Sequence, residues 1–545
     1  MRIFFFVLSI FSFTVYSQHT NLNLDRNYTS DVNKILYISE TDIHTSFKPI
    51  IRSNLSFTID SVIDTHYPNR YKNWYLRKLL SEHLIILYGN DYKVTVSPII
   101  NFSEGKELID SKNTFANSRG YLIQGDIGRK FSFSTSFVEN QAIFSNYLDS
   151  YVRDNRVVPG QGYARSFKET GFDYAMSSGY VTYMANNIFA VQFGHGKNFI
   201  GDGYRSLLLS DNAFNYPYLK LQTNLGKVQY TNLYAELMDI GYFATHGLLN
   251  WNQMGYAKKY LSSHYLSFHV NNKFNLSLFE SVVWRMDHDP KNRGFNINYL
   301  NPIKMLSLID LPESSLDNFL LGVNTKYVFR SSYMYGQLVL DNFDFSKFYE
   351  NDGWWANKIG YQLGYKIFDP FNIDRLTLQT EYNYVMPYTY AHHNPLQNYA
   401  HYNQPLAHPL GANFSEFLVM ANYKWKRFEI DAKIIMTKYG KDFQVDSISY
   451  GSNVYLSTGN YAQEEGLVGM GVGRPSDFGI EIHQGELTKI GYKNFNVSYI
   501  INPYTNLKIN FGITLRNSYN NAEDVKTRFI NFGIMSDLFN HYYDI

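Results

Sequence analysis

Cysteine is absent from all 545 residues. That excludes disulfides, thiolate metal sites, thiol nucleophiles and lipid attachment at an N-terminal cysteine. Charge is also scarce. Asp, Glu, Lys and Arg make up 18% of the chain, and the signs nearly cancel to a net +1, so no electrostatic case for a nucleic-acid partner arises. After the first residues no apolar run reaches the ~18 residues of a membrane-crossing helix. No repeat of about 40–50 residues is visible, which argues against a propeller. What is plentiful is aromatic side chain, with 48 Tyr and 41 Phe, alongside many Asn and Ser.

The chain opens MRIFFFVLSIFSFTVYSQ. Arg2, an apolar run from Ile3 to Val15 and the small-residue site Val15-Tyr16-Ser17 read as a secretory signal peptide over residues 1–17. An exported, cysteine-free, aromatic-rich chain without helical spans fits an outer-membrane β-barrel.

Period two is the decisive pattern. In such a barrel one strand face meets lipid and the other a polar lumen, so apolar and polar residues alternate for ~10 residues. In 376–384, LTLQTEYNY, Leu376, Leu378, Tyr382 and Tyr384 fall on one face and Thr377, Gln379, Glu381 and Asn383 on the other. In 507–516, LKINFGITLR, the rule sends Ile509, Phe511 and Ile513 to lipid and Lys508, Asn510 and Arg516 to the lumen. Glu429, Asp431 and Lys433 share a face where they can pair in water. From Lys93 onward roughly eighteen such segments follow, an even number as expected of these barrels. The fold class is therefore all-β, a transmembrane antiparallel barrel of about 18 strands over 93–545. Residues 18–92 read as a small N-terminal periplasmic region, with helical spacing of Tyr75, Leu76, Leu79, Leu80 and Leu84. Both chain ends are then expected in the periplasm.

The stretch GHGKNFIGDGYRSLLLSDNAFNYPYLKL at 194–221 concentrates glycine and charge. A phosphate-binding P-loop needs Gly five residues before Gly196 and Ser or Thr after Lys197, but Val191 and Asn198 stand there. A dinucleotide fingerprint needs Gly where Phe199 stands. The alternative is a folded-in loop in which His195, Lys197, Asp202, Arg205 and Asp211 form a lumenal charge network. A second stretch, 386–414, is long and uncharged. Its Tyr390, His392, His393, Tyr399, His401, Tyr402 and His408 suit contact with polysaccharide or a partner at the extracellular surface, since a sugar offers an apolar ring face and many hydroxyls. The His spacing, with no acidic residue nearby, matches no metal site. Gly-x-Ser-x-Gly and His-Glu-x-x-His are both missing, so no enzyme, cofactor or metal is expected.

The segments 193–210, 121–128 with the following FSFSTSFVENQAIF, VVPGQGYARSF at 157–167 and HYNQPLAHPLGANF at 401–414 resemble the Wzi-like capsule-assembly family of outer-membrane barrels. Within it they resemble the RemB gliding-motility branch of the Bacteroidetes. The resemblance implies an eighteen-stranded barrel in the outer membrane, with its lipid as surroundings. It implies support of surface gliding, with gliding or secretion-machinery proteins as partners, or, for the Wzi branch, binding of capsule polysaccharide.

Overall fold

The computed structural model describes residues 19–39, 43–241, 256–285, 297–302, 317–341, 345–350, 352–443, 448–459, 473–536 and 539–545. The leader expected over 1–17 lies outside the described residues.

Eighteen antiparallel strands close into one barrel. In chain order they are β1 (Tyr92–Glu107), β2 (Asn113–Ile127), β3 (Phe131–Ile143), β4 (Gly171–Met184), β5 (Phe189–Gly196), β6 (Tyr216–Leu225), β7 (Val228–Asp239), β8 (Ala257–His269), β9 (Phe274–Arg285), β10 (Asn318–Val328), β11 (Ser332–Asp341), β12 (Lys358–Phe368), β13 (Leu376–Val385), β14 (Phe414–Trp425), β15 (Phe428–Lys441), β16 (Glu486–Asn502), β17 (Leu507–Tyr519) and β18 (Asp524–Ser536). The last strand closes on the first, with Phe529 opposite Glu107 and Met535 opposite Asn101. Short helices α1 (Ser30–Lys34), α2 (Ile59–His66), α3 (Trp74–Leu80), α4 (Asn146–Asn155) and α5 (Phe345–Glu350) lie between or before them. Among the described residues no helix is long and apolar enough to cross a membrane.

The alternation read from sequence holds on β17. Lys508, Asn510 and Thr514 are buried, whereas Ile509, Phe511 and Leu515 are about two-fifths exposed. Phe193, Leu363, Met436 and Phe532 extend that outward apolar surface onto other strands. An apolar belt encircling a barrel is stable only against a non-aqueous surrounding, and closed strand pairing leaves no unmet backbone group inside it. Connections at one end are short, such as 226–227, 426–427 and 503–506. Those at the other are long, such as 144–170, 197–215, 386–413 and 442–485. In barrels of this kind short turns mark the periplasmic end.

The N-terminal region corrects the sequence reading. Residues 19–67 do not form a separate layer below the barrel; they enter it. The His19 backbone N–H donates to Asp126 (2.8 Å) and Ser132 Oγ donates to the His19 carbonyl (2.8 Å). Farther on, Phe47 joins a core with Ile200 and Leu207–Leu209, and α1 and α2 pack on Tyr333, Tyr335 and Phe368 of the inner wall. The helical spacing was local and visible, but the packing partners lie hundreds of residues away. The C-terminal segment also departs from expectation. Residues 539–545 turn back into the lumen, where Tyr542 and Asp544 are buried.

The register makes a direct prediction. Phe511→Arg puts a cation on the outward belt at a cost of ~2–4 kcal/mol at mid-membrane, and should sharply reduce heat-modifiable, folded barrel in membrane fractions. Asn510→Arg, facing the lumen, should assemble at near-normal levels.

Candidate functional site

The glycine-rich stretch is the centre of a plug. Its backbone runs so close to the wall that a Cβ at Gly203 would overlap Tyr335 and Gln362 side chains and the Glu381 carboxylate. That closeness lets Glu381 accept from the backbone N–H groups of Tyr204 (2.7 Å) and Arg205 (3.0 Å). The fully buried Arg205 guanidinium forks onto Glu416, with Nε and Nη2 both 3.1 Å from its oxygens. It also reaches Asp544 Oδ1 at 3.1 Å. Lys433 binds the other Asp544 oxygen at 2.5 Å, and Tyr204 OH donates to it at 2.6 Å. Burial works against charge on Asp544, but Arg205 and Lys433 outweigh it and hold this carboxyl below the ordinary range.

A second ionic group ties in the N-terminal segment. Asp202 accepts from Thr45 Oγ1 (2.8 Å) and Ser46 Oγ (2.7 Å), and Lys326 Nζ donates to Thr45 Oγ1 (2.5 Å). Burial again opposes the charge, yet nearby Lys326 and Lys48 keep Asp202 below its usual value. Asp211 accepts from Tyr542 OH (2.5 Å) and Asn540 (2.7 Å). Lys197 donates to the carbonyls of Gly160 (2.5 Å) and Asp211 (3.0 Å), and burial pushes its ammonium down to about 8. The expected network is therefore several separate anchors. His195 is not in the lumen: it shares the outward row with Phe193, and its ring meets the Ser177 carbonyl at 3.2 Å. Period two assigns it there, because Gln192 and Gly194 take the inward positions.

The loop 386–413 also folds inward, which corrects its placement at the surface. Tyr390, Tyr399, His401 and His408 are buried, Tyr402 and His392 partly so, and His393 is exposed. Tyr390 OH donates to the Leu207 carbonyl (2.7 Å), and Tyr390 stacks on Tyr399 with centroids 5.9 Å apart. His401 accepts the Met238 N–H on Nδ1 (2.9 Å) and faces the Asn215 carbonyl with Nε2 (3.2 Å). A neutral ring protonated on Nε2 satisfies both, and burial pushes this imidazole down to about 3. Long uncharged loops resemble solvated ones in sequence, but an absence of charge is equally what burial requires. Among the described residues no group of three or more His, Asp or Glu could hold a metal. A cavity of about 400 Å³ lies between the C-terminal segment and the wall, lined by amides and hydroxyls such as Asn101, Asn496, Asn510 and Ser498.

At the long-loop end the structure assembles a group that sequence reasoning passed over. Residues 352–355 and 477–480 pair through Trp355 N–H to Asp477 O (2.9 Å), Gly479 N–H to Asp352 O (2.9 Å) and Ile480 N–H to Gly353 O (3.0 Å). Gly353 has φ +70°, and a Cβ there would strike the Ile480 nitrogen at 2.7 Å. The pairing brings Trp354 to 5.1 Å from Phe478 and 6.2 Å from Trp355. Arg474 lies over the Trp355 ring at 3.9 Å and is held by Asp477 (2.7 Å). Phe478 is nearly half exposed, and both tryptophans are partly exposed. The available signal was the Trp354-Trp355 pair in a chain with only six tryptophans.

No family model and no curated protein matches the chain. Solved structures do. Wzi of Escherichia coli, described as an outer-membrane protein involved in group 1 capsule assembly and a carbohydrate-binding β-barrel, superposes with a TM-score of 0.52. Identity is 11%, over 95% of this chain and 99% of that one. OprD of Pseudomonas aeruginosa matches at a TM-score of 0.41 and 9% identity, over 84% of this chain and 96% of that one. OccAB2 of Acinetobacter baumannii matches at 0.42 and 8%, over 81% and 96%. The chain shares the barrel fold of Wzi.

The Arg205 cluster predicts acid sensitivity. A carboxyl held below its unfolded pKa of about 3.9 gives stability that is complete above that value, declines below it and is gone once pH falls through the depressed folded pKa. Thermal unfolding in detergent should therefore drop on acidification below about pH 4, and Asp544→Asn should flatten that dependence. Arg205→Met leaves two buried carboxylates without their shared cation, a loss of about 3–5 kcal/mol. It should lower the unfolding temperature and raise conductance in planar bilayers above a nearly closed wild type.

Proposed function

We propose that this chain is a non-enzymatic outer-membrane barrel that works by surface contact with polysaccharide, its filled lumen serving as a rigid base and not as a conduit. The observation that carries this reading is the aromatic platform of Trp354, Trp355 and Phe478 at the long-loop end. Ring faces pack against the C–H face of a pyranose, and the partly exposed Asp477 and Asp352 stand beside them as acceptors for sugar hydroxyls, while the buried Arg474 backs the Trp355 ring. The platform is held by backbone pairing between two loops, so little ordering is left to be done on binding. The carbohydrate binding ascribed to Wzi, a barrel of the same fold, agrees with this reading without carrying it. Of the 386–414 set His393 is the exposed member; the buried Tyr390, Tyr399, His401 and His408 would act through loop shape.

A second reading, support of surface gliding through contact with motility or secretion proteins, rests on the sequence resemblance of 193–210 and 401–414 to the gliding branch. A barrel that grips surface polysaccharide could serve gliding directly, so the two readings are compatible.

Purified protein should be retained on the cell's own surface polysaccharide. Trp354→Ala combined with Phe478→Ala should weaken retention at least about tenfold, equivalent to 1.4 kcal/mol, with the barrel still heat-modifiable. Undiminished binding by a folded double variant would remove the platform from the mechanism. A clean deletion scored for capsule retention and for single-cell gliding separates the two readings.

A further inference from the structure

Helix α3 is built the wrong way round for water. None of its seven residues is buried, and its exposed face carries Trp74, Tyr75, Leu76 and Leu79, each 44–74% exposed. Its two basic residues instead turn back along the chain, Arg77 to Glu82 at 3.2 Å and Lys78 to Glu82 at 3.0 Å. The helix is nevertheless well made. Asn73 caps it by accepting from the N–H groups of Tyr75 (2.9 Å) and Leu76 (3.3 Å), and the Ser81 N–H closes it on the Arg77 carbonyl (2.9 Å). The apolar surface continues past it through Leu84, Ile85, Leu87 and Tyr88 to Tyr92 at the start of β1.

The helix is fastened to the short-turn rim of the barrel. Asn502, the last residue of β16, donates to the carbonyls of Lys78 (3.1 Å) and Glu82 (2.8 Å). Arg427, in the turn between β14 and β15, reaches the Leu80 carbonyl at 3.5 Å. Beside these two anchors lie Trp425, Phe428 and Tyr499, a run of exposed rings with centroid spacings of 6.0 and 5.2 Å. These rings form the lower edge of the outward apolar belt, so the helix carries that belt onward where the strands end. Its N-terminal flank has the matching charge: Arg70 and Lys72 precede the helix with no acidic residue between 68 and 81, while Arg77 and Lys78 are paired with Glu82. Aromatic and leucine side chains on one face with lysine and arginine around them are the pattern of a helix lying in a lipid headgroup layer.

We infer that α3 is an interfacial anchor, its Trp74, Tyr75, Leu76 and Leu79 face seated in the phospholipid leaflet at the short-turn end and the Arg70 and Lys72 that precede it toward headgroup phosphates. It would fix the depth of the barrel and hold the rim at the point where the chain leaves the lumen to begin the wall. This inference is independent of any polysaccharide contact at the opposite end.

The cysteine-free chain allows clean single-site spin labelling. The full-length protein would be placed in nanodiscs of phosphatidylethanolamine and phosphatidylglycerol, with a label at Leu79→Cys or, separately, at Lys72→Cys. The label at 79 should collide more with oxygen than with a water-soluble nickel chelate, and the label at 72 should show the reverse. Tyr75→Cys stands in if Leu79→Cys does not fold. Quenching of intrinsic fluorescence by lipids brominated along the tails should fall in Trp74→Phe relative to wild type. Nickel access at 79 equal to that at 72 would show the helix in water, and shielding from both reagents would show it covered by protein, a second copy or a partner. Either result overturns the anchor.

Discussion

One buried cation joins four parts of the chain. Arg205 comes from the glycine-rich loop, Glu416 from β14 and Asp544 from the C-terminal segment, and Glu381 of β13 receives the backbone of the same residue. A guanidinium removed from water is costly unless its donors are met, and here the fork to Glu416 and the bond to Asp544 meet them. The arrangement specifies position more than it adds stability. Beside this ionic group the inner wall is apolar, with Leu233, Leu261 and Phe279 in the core that receives the loop. With Arg205 fixed, Leu207, Leu208 and Leu209 fall opposite that wall, and Asp202 and Asp211 fall within reach of Ser46 and Tyr542.

The closed lumen follows from this anchoring. The N-terminal segment and two long inward loops bring apolar side chains to one shared core, including Phe47, Leu207, Tyr390 and Leu406, and Tyr542 of the C-terminal segment packs in a second cluster with Tyr204, Leu418 and Ile435. The wall answers with inward Leu233, Leu320, Val339 and Val385 where a water-filled channel would need polar groups. The barrel interior is thus partly a soluble-protein core, and the cavity near β1–β3 and β15–β18 is what the core leaves over.

How much of this was legible in the sequence depends on the range of the constraint. The facing of Lys508, Asn510 and Phe511 was readable because alternation acts between adjacent residues. The same rule, applied to Phe193, would have kept His195 out of the lumenal set. The inward fold of 386–413 was not readable, since burial of Tyr390 and His401 is decided by Leu207, Met238 and Asn215, far away in the chain. Trp354 and Phe478 were missed for a similar reason. They meet only because a loop before β12 pairs with one before β16, and the adjacent Trp354 and Trp355 carry no sign in the sequence that Phe478 joins them.

Under the proposed function a filled barrel would divide its work between its two ends. The long-loop end carries Trp354, Trp355 and Phe478 on paired loops rooted in β12 and β16, so a pull on that platform is transmitted to strand hydrogen bonds and not to a flexible tether. Such a load must be borne by the membrane, and the apolar belt resists displacement along the membrane normal in proportion to the area that would be exposed. Helix α3 adds area at the rim where β1 begins and where the wall is seamed by the first and last strands. On the reading proposed above, retention of a surface polymer at one end and anchoring at the opposite rim would be mechanically linked through the strands of one filled barrel.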